Sequence, residues 1–281
     1  MNSASLDSLL TRALEEDIGE GDHSTLASIP EEATGKAHLL IKEKGVLAGV
    51  EVAEKVFRLY DPSIIMAIHM KDGTLIRPGD IAFIVQGPAR SILSCERLVL
   101  NIMQRMSGIA TQTREYVSRL EGLSTRVLDT RKTTPGMRML EKMAVRIGGG
   151  MNHRMGLYDM IMLKDNHIDY AGGLKQALDR TRNYLRQKGK DLRIEVEVRN
   201  LKDVEEVLEA GGVDIIMLDN FDLETTRKAV RMIGGRYLVE SSGGITLENV
   251  REYAACGVDY VSVGALTHQL HSLDMSLKAL R

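Results

Sequence analysis

Apolar and polar positions fall into two regimes along this chain. From about residue 125, short apolar runs recur at Val127-Leu128, Met160–Leu163, Ile194–Val198, Ile215–Leu218, Tyr237–Val239 and Tyr260–Val263. The stretches between them carry helical spacing. LKDVEEVLEA sets Leu201, Val204, Val207 and Leu208 in register behind a capping Asn200, DLETTRKAVRMI starts at Asp222, and TLENVREYAA starts at Thr246. Strands alternating with helices at this spacing predict a parallel sheet, and a repeated unit of this kind closes readily into a barrel.

The preceding part, residues 1–108, is mixed. Leu6, Leu9, Leu10, Ala13 and Leu14 predict an opening helix. Ala37–Ala48 reads as strand, turn and strand, with Glu43-Lys44-Gly45 at the bend, and Val50–Tyr60 returns to helical spacing. Asp72-Gly73 and Pro78-Gly79-Asp80 then punctuate the alternating runs IMAIHM, TLI and IAFIV, which predict an antiparallel sheet. Ile92–Leu120 is rich in helix formers, with an expected break at Ser107-Gly108. The expected organisation is therefore α/β. A first domain spans residues 1–108 and a barrel spans 109–281, with a C-terminal helix that packs back on the first domain.

The length of 281 residues, with 43% hydrophobic and 27% charged positions, is that of an ordinary globular protein of one or two domains. No run approaches the roughly 18 apolar residues of a membrane span. The acidic, amphipathic start is unlike a secretory leader, so a cytoplasmic location is expected. Cys95 and Cys256, both expected in the core, cannot make a disulfide framework. The histidines show no metal-binding spacing, so no transition-metal site is expected.

Charge changes the picture in one place. The chain is formally −2, yet Asp129–His167 holds Arg131, Lys132, Arg138, Lys142, Arg146, His153, Arg154, Lys164 and His167 around Gly148-Gly149-Gly150. An anionic small molecule is the expected partner, with no nucleic acid or membrane. Pro135 fits the first turn of a helix that ends at Gly148, with Met137, Leu140, Ala144 and Ile147 as its buried stripe. Arg138, Lys142 and Arg146 are four apart on another face, expected to be solvated. Arg131-Lys132, His153-Arg154 and Lys164 instead flank that helix or end strands, where α/β proteins place ligand-binding groups.

Reading the strand ends in order defines a chemistry. Cations come first (Arg131, Lys132, Lys164), then carboxylates (Glu197, Asp219), then Ser241-Ser242-Gly243-Gly244 and Gly264-Ala265. Loops after the last strands of a barrel are the usual phosphate site, because backbone N–H groups reach the oxygens there. Glu195 and Glu197 share a strand face, so at least one is expected to point into the site. Asp219 is a site residue or a helix cap on this reading. The set suits a substrate with several anionic groups and Mg²⁺, held through water or the hydroxyls of a sugar.

The blocks EEDIGEGDHST, KEKGVLAGVEVAEKVF, CERLVLNIMQRMSGIAT, TRKTTPGMRMLEKMAVRIGGGMNHRMGLYDMIMLKDNHI, SSGGI and VSVGALTH span nearly the whole chain. They make it resemble the quinolinate phosphoribosyltransferases, with methionines at Met137, Met143 and Met151 as conservative departures. The resemblance implies an N-terminal α/β sandwich, an incomplete α/β barrel, and a homodimer whose sites borrow residues from the neighbouring subunit. It implies quinolinate and phosphoribosyl pyrophosphate as substrates, Mg²⁺ as cofactor, and nicotinate mononucleotide, carbon dioxide and pyrophosphate as products. It also implies roles. Arg97, Arg131, His153, Arg154 and Lys164 fall to the quinolinate pocket, Lys132 lies between that pocket and the pyrophosphate, and Thr130 is a further substrate-binding residue. Glu197 and Asp219 face the ribose and metal, Ser242, Gly243, Gly244, Gly264 and Ala265 take the 5′-phosphate, and Arg114 is donated across the dimer. A nicotinate phosphoribosyltransferase, a relative associated with molybdenum transport, and a non-catalytic phosphosugar sensor are the competing readings. The dense cation set argues for a substrate with two carboxylates.

Overall fold

The computed structural model of the chain describes residues 3–280. These fold as two compact units, one formed by residues up to Arg114 with Thr133–Gly149 and Leu266 onward, the other by Glu115–Lys132 and Gly150–Ala265.

The first unit is built on an antiparallel sheet. Its strands are β1 (Thr34–Ile41), β3 (Ile65–Ile68), β5 (Ile81–Pro88) and the C-terminal β12 (Met275–Leu280), in the order β12-β1-β5-β3. The C-terminal segment is thus a strand rather than the expected helix. Met275 and Leu277 are buried while Ser276 is half-buried and Lys278 exposed, a period of two that fits pairing along β1 from Ile41↔Met275 to Lys36↔Leu280. The expected strand–turn–strand at Ala37–Ala48 is also different. β2 (Gly45–Val46) pairs with β4 (Leu75–Ile76), not with β1.

Helices α1 (Ser3–Ile18), the short α2 (His23–Ser28) and α3 (Val50–Tyr60) lie at the expected places or fill gaps between them. The long α4 (Ala89–Arg119) runs without the expected break. Its buried Ile92, Cys95, Val99, Met103, Met106 and Ala110 recur at steps of three and four. Gly108 serves close approach instead of interruption, since a Cβ there would overlap the His271 carbonyl. Ser107 is buried beside it, accepting from Ala48 N–H at 2.9 Å and donating to Ala48 C=O at 3.2 Å.

The helix of the cationic block, α5 (Arg138–Ile147), also belongs to this unit and begins three residues after Pro135, which sits in a turn. Leu140, Glu141, Lys142, Ala144 and Val145 are all buried. At about 100° per residue they cover more than half the circumference, so the expected solvated face does not exist at Lys142, which is 0% exposed. Glu141 is satisfied there by Arg105, whose Nε donates to Oε1 at 3.0 Å.

The second unit holds the six parallel strands the sequence predicts: β6 (Arg126–Leu128), β7 (Ile161–Leu163), β8 (Ile194–Val198), β9 (Ile215–Asp219), β10 (Leu238–Ser242) and β11 (Tyr260–Ser262). Their order is β6-β11-β10-β9-β8-β7, so the sheet is open between β6 and β7, an incomplete barrel. The chain from 129 to 160, which carries most of the cationic block, connects those two open edges.

Connecting helices α6 (Asp165–Ala171), α7 (Leu174–Lys188), α8 (Leu201–Ala210), α9 (Leu223–Ile233), α10 (Val250–Ala254) and α11 (Ala265–His268) follow the strands in turn. Asn200 caps α8 by accepting from Asp203 N–H, and Asp222 caps α9 by accepting from Thr225 N–H. The last predicted helix begins late. Thr246 lies in a turn held by Asn249, whose Oδ1 accepts from Thr246 N–H while its amide donates to Gly244 C=O, and α10 starts only at Val250.

Register places side chains on the inner face in rows. Met162, Glu195, Ile215 and Leu238 are neighbours across β7 to β10, and Glu197, Met217 and Glu240 form the next row. Asp219 and Ser242 stand abreast at the carboxyl ends. Both rows mix carboxylates with apolar side chains, Met160, Met162, Ile215 and Met217 packing as one cluster, and a polar rim follows.

Candidate active site

A cavity of about 400 Å³ opens over this inner face. Its wall contains Thr130, Arg131, Lys132, His153, Arg154, Lys164, Asp219, Ser242, Gly243 and Gly244, ten of the residues singled out from the sequence. They come from sequence positions more than a hundred residues apart because parallel strands deliver all their carboxyl ends to one side. Glu197 is not in the wall. It is 7% exposed and bonded to the ammonium of Lys164, which is. Gly264 and Ala265 follow β11 at the start of α11 and are outside the wall too. Arg97 and Arg114 stand exposed on α4 in the first unit, where Arg114 Nε donates to Gly148 C=O at 3.0 Å.

Local structure aims the cations. Asp129, fully buried at the end of β6, accepts from His153 N–H at 2.8 Å and so ties the returning chain to that strand. Thr130 Oγ1 accepts from Lys132 N–H at 3.0 Å. Lys164 follows β7 directly, and its N–H donates to His167 Nδ1 at 3.0 Å, which gives His167 a helix-start role. Arg154 donates to Met160 C=O at 3.3 Å and touches Met162 Sδ at 3.5 Å, and among the described residues it forms no ion pair. Burial lowers its pKa, and the nearby charge of Arg131 lowers it further. Two guanidinium groups held near each other in this way suit an anion.

The feature that sequence reasoning missed is Glu240. His153 Nε2 lies 3.0 Å from Glu195 Oε2 and 3.4 Å from Glu240 Oε2, and both carboxylates are fully buried. Burial depresses the His153 pKa but the two carboxylates overcome it, raising it to about 9. Burial and the charge of Glu240 push Glu195 up to about 7, against His153 and Arg154. Nδ1 of His153 accepts the Arg154 N–H at 2.7 Å, so the ring proton belongs on Nε2, facing the carboxylates. Glu195 and His153 are therefore both held toward their protonated forms. The three ligand atoms lie within 4.8 Å of one another, close enough for a cation. A cation at Nε2 would, however, leave the ring with neither nitrogen protonated, so the arrangement suits a shared proton.

The rim is rich in glycine. Gly243 and Gly244 have φ of +91° and +62° and line the cavity edge beside Ser242, an irregular backbone of the kind that can present N–H groups to an anion. Clustered cations, an acid at the end of β9 and a glycine-rich rim at the carboxyl ends of an open α/β barrel define a protein that handles phosphorylated, carboxylated small molecules.

Comparison with known proteins makes that class specific. Residues 22–107 match the N-terminal domain, and residues 109–278 the C-terminal domain, of quinolinate phosphoribosyl transferase. The chain is 45% identical to "Quinolinate phosphoribosyltransferase (decarboxylating) 1b" of Nicotiana tabacum, covering 97% of this chain and 82% of that protein. It is 44% identical to the "Probable nicotinate-nucleotide pyrophosphorylase (carboxylating)" of Bacillus subtilis, over 99% and 94% of the two chains. The crystal structure of NadC from Streptococcus pyogenes superimposes with a TM-score of 0.93 at 43% identity, over 100% and 99% of the chains. This chain belongs to the quinolinate phosphoribosyltransferase family.

Proposed function

We propose that the chain transfers the phosphoribosyl group of phosphoribosyl pyrophosphate to the ring nitrogen of quinolinate, releasing pyrophosphate and carbon dioxide and leaving nicotinate mononucleotide for NAD biosynthesis. The observation that carries this reading is the pairing of Arg131 and Arg154 beside Lys164, in one cavity with the Ser242-Gly243-Gly244 rim. A pyridine diacid fits the first group, and a 5′-phosphate fits the second.

The chemistry follows from where charge develops. As pyrophosphate departs, the anomeric carbon gains cationic character and the leaving oxygens gain negative charge. Lys132, exposed at the cavity wall, is placed to meet the oxygens, and Asp219 at the end of β9 is placed to meet the ribose. The guanidinium groups hold the diacid so that its nitrogen approaches in line. Once that nitrogen is quaternary, the adjacent carboxylate leaves as carbon dioxide, because the electron pair left on the ring carbon is stabilised by the neighbouring positive charge. That carbon then takes up a proton. No side-chain nucleophile takes part.

Mg²⁺ fits a site of this kind, since it retains waters and needs few protein carboxylates. Asp219, half-buried with Oδ2 accepting from Asn220, has a second oxygen for a hydrated ion, while Glu197 acts through Lys164. The ion would screen the pyrophosphate oxygens. Arg97 and Arg114 support the homodimer in this proposal, as exposed arginines of α4 available to a neighbouring subunit's site. The two buried free cysteines accord with a reducing, cytoplasmic setting. No helix among the described residues is long and apolar enough to cross a membrane.

The test is pyrophosphate release from phosphoribosyl pyrophosphate with quinolinate, with nicotinate and with neither acid. Release dependent on quinolinate supports the proposal. Equal release with nicotinate contradicts it.

A further inference from the structure

Asn220 breaks a local rule. Among the described residues it is the one non-glycine residue with positive φ, at +55°. Left-handed backbone is disfavoured for most side-chain-bearing residues, is entered more readily by Asn, and tends to persist at functional sites. Three observations show what holds it. Its N–H donates to Ser242 C=O at 2.8 Å, continuing the β9–β10 ladder one step past Asp219. Its side-chain amide donates to Asp219 Oδ2 at 2.9 Å. The side chain also lies over Gly243, where a Cβ would fall 2.6 Å from Asn220 Cγ, so a glycine at 243 is what leaves it room. Asp219, Asn220, Ser242, Gly243 and Gly244 all line the cavity.

We infer that Asn220 is a positioning residue, whose amide fixes the Asp219 carboxylate against the glycine rim and leaves its other oxygen directed to the phosphoribosyl substrate. A carboxylate only accepts, so the amide nitrogen must be the atom that faces it, which settles the orientation of the Asn220 side chain. The left-handed turn then has a purpose, since it folds the residue after a strand back over that strand's last side chain. The inference rests on the reading that this end of the cavity takes the phosphoribosyl group.

The experiment is a double-mutant cycle read by calorimetry, with phosphoribosyl pyrophosphate and Mg²⁺ as one probe and quinolinate as the other. Asn220→Gly keeps the left-handed backbone and removes the amide. It should weaken phosphoribosyl pyrophosphate binding roughly tenfold, as expected for loss of a hydrogen bond to a charged group. Quinolinate affinity and the melting temperature should stay at wild-type values. Asn220→Asp should weaken the same probe further, because two carboxylates then face each other. In an Asp219→Ala background, Asn220→Gly should cost nothing more. Wild-type binding by Asn220→Gly, an equal loss in the Asp219→Ala background, or an equal loss of both probes would overturn the inference. If Asp219→Ala itself leaves phosphoribosyl pyrophosphate binding intact, the assignment of that end of the cavity fails as well.

Discussion

Arg154 offers the sharpest test of how the acid is held. Its present partners are weak, one carbonyl at 3.3 Å and one thioether at 3.5 Å, and the like charge of Arg131 lies nearby. Most of its donors are therefore available to a ligand. A charge-assisted bond to a carboxylate contributes about 1.5–3 kcal/mol, which is roughly a tenfold to hundredfold change in affinity. Removing Arg154 also relieves its repulsion with Arg131, so the lower half of that range is expected for Arg154→Ala. Arg154→Lys keeps the charge but not the planar fork and should recover only part of the loss. The assay is titration calorimetry with quinolinate and with nicotinate, on Arg131→Ala and Arg154→Ala, alongside melting temperatures. Both variants should bind quinolinate more weakly, and in at least one the preference for quinolinate over nicotinate should collapse. If both variants keep wild-type quinolinate affinity, or lose the two acids in equal measure, the cations do not grip a diacid.

Three further outcomes are expected. The raised pKa values of Glu195, about 7, and His153, about 9, mean that the folded trio holds a proton the unfolded chain releases; stability from it is complete at acid pH and is lost as pH rises through those values, by at most about 1.4 kcal/mol per pH unit per proton. Melting temperature should accordingly fall between about pH 5 and 9, more shallowly in Glu240→Gln, and an identical slope in that variant would remove Glu240 from the trio. Gly108→Ala should destabilise by about 1–3 kcal/mol or more through overlap with the His271 carbonyl; a melting temperature equal to wild type would show that the backbone there yields freely. If Arg114 serves a neighbouring subunit's site, mixing inactive Arg114→Ala and Lys164→Ala chains should restore some activity, and verified mixed dimers without recovery would count against it.

The barrel was legible because short apolar runs recur between stretches of helical spacing, two of which start behind capping Asn200 and Asp222, a pattern that needs no knowledge of distant contacts. The cations at the ends of β6 and β7 were legible for the same reason, since a charged residue just after such a run has few other places to go. Glu240 was not. The apolar run of β10 ends at Val239, so local pattern leaves the acid outside the strand, whereas register with β9 carries the strand on to Ser242. Lys142 departs from the exposure its charge spacing predicts because α5 is buried around more than half its circumference. The pairing of β2 with β4, and of β12 with β1, depends on partners far away in the chain, which local alternation does not encode. Gly108 shows the same limit, since a glycine that interrupts a helix and one that admits a neighbouring backbone look alike until the neighbour is placed.

The central claim, that this cavity couples phosphoribosyl transfer to loss of a carboxyl group, is tested most directly by one ratio. Quinolinate labelled in its 2-carboxyl group is supplied with phosphoribosyl pyrophosphate and Mg²⁺, and labelled carbon dioxide and pyrophosphate are counted in the same reaction. The account predicts one carbon dioxide for each pyrophosphate, and none when either substrate is withheld. Pyrophosphate released without carbon dioxide, or neither released by well-folded protein, would contradict it.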